Sequence, residues 1–141
     1  MKSIRLRLGL AAFGICGLMG IDAWAAGGAA PGTAQRGADL YRLHCAACHG
    51  VDAAGSGLMT PQLRHVPPDL RQLSAKNGGM FPRARVRRII EGRDVPSHGD
   101  RDMPVWGDAF SRIDPASSES SDVRISAIID YLESTQVRAS H

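Results

Sequence analysis

The chain has 141 residues, 43% of them hydrophobic and 22% charged, which fits one ordinary domain and excludes a multidomain enzyme, a fibrous chain or a disordered one. Its 17 Lys+Arg stand against 14 Asp+Glu, but residues 1–25 hold Lys2, Arg5, Arg7 and Asp22, so the remainder carries 14 basic and 13 acidic groups. So weak a field is no basis for binding nucleic acid.

Residues 1–7 are short and basic. Leu8 to Ile21 is a 14-residue apolar run broken by glycines, and Ala23-Trp24-Ala25 is a small-x-small cleavage pattern. As a helix the run would be roughly 21 Å long, short of the ~30 Å hydrocarbon core. The expectation is a signal peptide over residues 1–25, export to the periplasm, and a mature chain with no membrane span. An uncleaved anchor is the competing reading. Cys16 would leave with the signal, and Phe13-Gly14-Ile15 lacks the small residue that lipoprotein processing wants beside the cysteine.

Residues 26–32 form a Gly/Ala/Pro leader, residues 33–137 the domain, and residues 138–141 a tail. A first helix is expected after Thr33, with Leu40, Leu43 and Ala47 on its apolar face and Arg36 at its edge. Residues 50–79 are rich in Gly, Pro, Ser and Asp and hold no period, so something else must organise them. Residues 82–91 read as a helix with Val86, Ile89 and Ile90 inward and Gly92 as its stop. A loop through Asp114 and a polar linker over residues 117–121 lead to a last helix at 122–136. That helix buries Ile125, Ile128, Ile129 and Leu132 and is capped by Ser121 or Asp122. No strand-like alternation persists, so the fold is expected to be all-α. Five aromatics (Tyr41, Phe81, Trp106, Phe110 and Tyr131) make a thin core for three helices and long loops, one that a flat apolar cofactor would complete.

Cys45-Ala46-Ala47-Cys48-His49 is C-x-x-C-H, the signature of covalent haem attachment. Two thiols three residues apart at a helix end can reach two vinyl groups on one ring edge, and the next imidazole is aimed at the iron. A thioredoxin-like pair would sit at a strand-to-helix turn, and a structural zinc site would need a further ligand set at metal spacing. Neither pattern surrounds this motif. The second nitrogen of His49 needs an acceptor, for which Pro61, Pro67 and Pro68 offer carbonyls, Pro61 and Pro68 each opening a Pro-x-Leu triplet.

For the sixth position on the iron the candidates are Met59, Met80 and Met103, and His44, His65, His98 and His141. Met103 lies 54 residues beyond His49, within Asp102-Met103-Pro104-Val105-Trp106-Gly107, where Pro104 biases it to an extended backbone. Met59 and Met80 read as core filler, His44 as an exposed helix residue, His65 as a loop histidine and His141 as a frayed end. His98 is the rival to Met103.

Taken together, the C-x-x-C-H motif, the Met103-Pro104-Val105-Trp106-Gly107 segment and the closing helix resemble the class I c-type cytochromes, in particular the small exported monohaem cytochromes of bacteria. The resemblance covers residues 33–136. It implies the cytochrome c fold, with three main helices and long loops around one covalently bound haem c and its iron. In that frame Gly37, Tyr41 and Tyr131 form a tight crossing of the first and last helices. Cys45 and Cys48 bind the haem, His49 is the proximal ligand and Met103 the distal one. The implied function is a periplasmic one-electron carrier rather than an enzyme, serving redox partner proteins as a monomer or as a subunit of a complex. The alternatives are a fixed cytochrome subunit of a dehydrogenase or oxidase complex, or a five-coordinate protein that binds gases or reduces peroxide. Family members often meet partners through a ring of lysines, whereas here only Lys76 follows residue 25, beside a cluster of Arg83, Arg85, Arg87, Arg88 and Arg93. That cluster is either a solvated face, a set of propionate holders or a dock for an acidic partner.

Overall fold

Proline at the first turn of a helix forfeits no hydrogen bond and presets φ, and the first helix starts at Pro31, two residues earlier than Thr33 would place it. The computed structural model describes residues 31–93, 103–113, 115 and 117–137. The expected signal peptide, residues 26–30 of the leader, His98 and residues 138–141 lie outside that set. The helices are α1 (Pro31–His44), α2 (Ala46–His49), α3 (Arg83–Glu91), α4 (Trp106–Ile113) and α5 (Ser121–Ser134). Single 3-10 turns lie at Thr60–Gln62, Leu70–Gln72 and Ala75–Asn77. Among the described residues there is no strand, in line with an all-α fold, and no helix is long and apolar enough to cross a membrane.

Helix α5 carries the spine of the core. Ile125, Ile128, Ile129 and Leu132 are all buried, as the i, i+3, i+4, i+7 spacing requires, with Ala127 beside them. Opposite lies α1, whose inward face differs from the expected one. Leu43 is 75% exposed, whereas Tyr41 is fully buried beside Leu40, and of the next two alanines Ala46 rather than Ala47 points inward. The face runs through Gly37, a residue that carries no hydrophobic signal. There the two backbones approach so closely that a Cβ on Gly37 would lie inside the carbonyl of Ala127. Tyr41 and Tyr131 meet next to it, ring centroids 5.1 Å apart.

Residues 106–113, expected as loop, form α4. Trp106 and Phe110, four apart, share one buried side, and Asp108 in the first turn suits the helix dipole. Beneath Phe110 lies Arg124, 5% exposed, its guanidinium 5.8 Å from the ring centroid and donating to the Phe110 carbonyl at 3.4 Å. Glu119 neutralises it, accepting from Arg124 at 3.3 Å and from Arg36 of α1 at 2.7 Å. The hydrogen bond from Arg36 is the main reason the Glu119 carboxyl is held below its ordinary range. Ser120, rather than Ser121 or Asp122, caps α5 by accepting from the Val123 amide at 3.3 Å. On the far side of α5, α3 buries Val86 and Ile90. Its Arg83 pairs with Asp130 and Glu133, and Arg87 donates to Ser126 at 2.6 Å.

A methyl group at Gly37 must push the two helices apart. Gly37→Ala is expected to destabilise the domain by about 1–3 kcal/mol, read as a lower denaturant midpoint.

Candidate functional site

The helical path of α1 continues through Cys45. The Cys45 amide donates to the Tyr41 carbonyl at 2.8 Å and the His49 amide to the Cys45 carbonyl at 2.9 Å. Both cysteines and the imidazole therefore stand within one helical turn. A helix end leaves four carbonyls without intrahelical partners, and the following loop supplies them. Ala46, Ala47, Cys48 and His49 accept from the amides of Gly50 (2.9 Å), Met59 (2.8 Å), Gly57 (3.3 Å) and Gly55 (2.8 Å), in that order. The Thr60 hydroxyl adds a second donor to the Cys48 carbonyl at 3.0 Å, and the buried Tyr41 hydroxyl donates to Gly50 at 2.8 Å. Residues 50–60 are thus folded back onto α2 by its own unsatisfied backbone.

Gly55 then sets where the chain goes next. Its φ of +85° is one that side-chain-bearing residues rarely adopt, and a Cβ there would overlap the Pro67 carbonyl. Ala53, wholly buried with φ 61°, accepts from the Leu70 amide at 2.8 Å. These two contacts hold residues 63–68 across from the motif.

Between them lies a cleft of about 720 Å³, its solvent-facing mouth included. One wall is His44, Cys45, Cys48 and His49; a second is Leu63, His65, Val66, Pro67 and Pro68; Met103, Pro104 and Trp106 complete it. The four residues expected at the site (Cys45, Cys48, His49 and Met103) all face this cleft. Met59 and Met80 do not line it, and both are exposed, so neither fills a core as expected. His65 lines the second wall. His44 is not the exposed residue expected of it, because α4 packs against it. Its ring lies 5.3 Å from that of Trp106 and 5.2 Å from that of Phe110, and burial, then the charge of Arg124, lowers its pKa. Pro67 and Pro68 line the cleft and Pro61 does not.

Both cysteines are free thiols. Burial, and next the neighbouring Cys48, push the Cys45 thiol up to about 12, so it stays protonated at neutral pH. What the cleft fits is a flat apolar group. It offers two thiols on one edge, an imidazole whose Nδ1 is buried, and a half-buried thioether on another wall. None of Arg83, Arg85, Arg87, Arg88 and Arg93 lines it. The residues that sequence reasoning missed are Gly55, Gly57, Thr60 and the Tyr41 hydroxyl. For the two glycines the signal was the Gly55-Ser56-Gly57 triplet six residues after His49.

The family model described as Cytochrome c matches residues 34–136. No curated protein and no solved structure gives a match.

Gly55→Ala would combine backbone strain with overlap at Pro67. The expected outcome is a loss of about 1–3 kcal/mol in stability, together with easier release of residues 63–68, seen as faster amide exchange at Leu70.

Proposed function

We propose that this chain, which belongs to the cytochrome c family, is a periplasmic one-electron carrier whose Cys45 and Cys48 tether the haem and whose His49 and Met103 hold its iron. The family's domain binds haem c covalently, and its chemistry is haem-based electron transfer. When bound, the group supplies an iron that gains or gives up one electron.

One observation carries the assignment of residues. Met103, 54 positions along the chain from His49, lines the same cleft as the C-x-x-C-H motif, while Met59 and Met80 lie outside it. The thiols of Cys45 and Cys48 would become thioethers. Hydrogen bonds to the carbonyls of α2 keep the His49 backbone in place, and its buried Nδ1 leaves Nε2 as the ligating atom. A methionine ligand together with an imidazole would raise the reduction potential, and the apolar walls would limit water around the group. Were His49 and Met103 both to hold the iron, the chain itself would leave no position for a substrate. That supports carrier function over gas binding or peroxide reduction. Periplasmic residence rests on the basic start, apolar run and Ala23-Trp24-Ala25 of the first 25 residues.

Redox partners are implied by the family. Arg83 and Arg87 are engaged with α5, but Arg85 and Arg88 on the outer side of α3 are exposed and have no acidic partner among the described residues. These two suit an acidic protein.

Two outcomes are expected. Ferric Met103→Ala loses completely the weak red sulfur-to-iron band shown by the unaltered protein, and its potential falls. An unchanged spectrum would exclude Met103 as ligand and revive His98 or an open position. Neutralising Arg85 and Arg88 together flattens the dependence of electron-transfer rate on ionic strength, and an unaltered slope would remove α3 from partner docking.

A further inference from the structure

We propose that His44 is a positioning residue that clasps the methionine segment to the motif helix and so keeps the Met103 sulfur on the iron; this rests on the assignment of Met103 made above. The two sides of the cleft come from segments remote in sequence, and their mutual position decides whether a thioether can reach the metal. Side-chain packing is the contact the described residues show between the two sides.

The packing is concentrated on one ring. His44 ends α1 and immediately precedes Cys45. Its imidazole lies tilted against Trp106, centroids 5.3 Å apart, and edge-on to Phe110 at 5.2 Å. Trp106 and Phe110 in turn lie 5.1 Å apart on α4, so the three rings form a closed triangle. Trp106 is the first residue of α4 and stands three positions after Met103, with Pro104 stiffening the link. The triangle is anchored from below by Arg124 over the Phe110 ring, and that guanidinium is fixed by Glu119. Moving Trp106 moves Met103, and His44 is the residue of the motif side that holds Trp106.

The test uses the mature holoprotein in the ferric state with imidazole as an external ligand, which can bind only when the methionine lets go. His44→Ala is expected to raise imidazole affinity by roughly tenfold, two aromatic contacts being lost. His44→Phe, which keeps a ring against Trp106 and Phe110, should stay within about twofold of the parent. Arg83→Ala, which loses the α3–α5 ion pairs far from the cleft, controls for general loosening and should leave imidazole affinity unmoved. An unchanged affinity in folded His44→Ala, or an equal rise in Arg83→Ala, overturns the proposal. Should His44→Ala fail to fold, His44→Gln replaces it with the same expectation. Lack of the sulfur-to-iron band in the unaltered protein would overturn the Met103 assignment and this inference together; a normal band with unmoved affinity overturns this inference alone.

Discussion

At the crossing of α1 and α5 only a hydrogen atom fits between the Gly37 backbone and the carbonyl of Ala127. That contact fixes the axis of α1, and everything at its far end follows. Tyr41, one turn on, is sealed against Tyr131 and reaches with its hydroxyl to the Gly50 carbonyl, the first residue beyond α2. The thiols and imidazole are therefore mounted on a helix whose base is clamped by the last helix and whose tip is held by a buried hydrogen bond.

From that tip the loop is organised by elementary hydrogen-bond accounting. Four carbonyls at the end of α2 lack helical partners, and Gly50, Gly55, Gly57 and Met59 donate to them. A cofactor was the agent expected to order residues 50–79. For the first third of that stretch the motif's own backbone supplies hydrogen bonds as well.

What could be read from sequence was the part where chemistry demands a residue type at a spacing. Ile125, Ile128, Ile129 and Leu132, whose apolar repeat is unbroken, fall in this class, and Cys45, Cys48, His49 and Met103, chosen for their chemistry, line one cleft. Helix α4 was hidden because Pro104, Gly107 and Asp108 carry turn signals that outweigh two aromatics four residues apart. The environment of His44 was hidden with it, since the rings that cover it belong to α4. On α1 the periodicity alone put Leu43 inward in place of Tyr41, because a glycine at the centre of the contact contributes nothing to an apolar count; the resemblance, not the pattern, pointed to the crossing of Gly37, Tyr41 and Tyr131 that the structure shows. The choice among Pro61, Pro67 and Pro68 depended on a turn at Gly55 that no periodicity reports.

Gly37 and Ala127 are 90 positions apart in the chain. Closing so long a span costs little more free energy than closing a short one, because the entropy grows only with the logarithm of length, but it is slow beside the formation of a single helix. During refolding, α1 and the turn that carries the cysteines can therefore exist before the ends have met. In that interval both sulfurs would stand open to solvent, because the contact that clamps their helix depends on a residue 90 positions away.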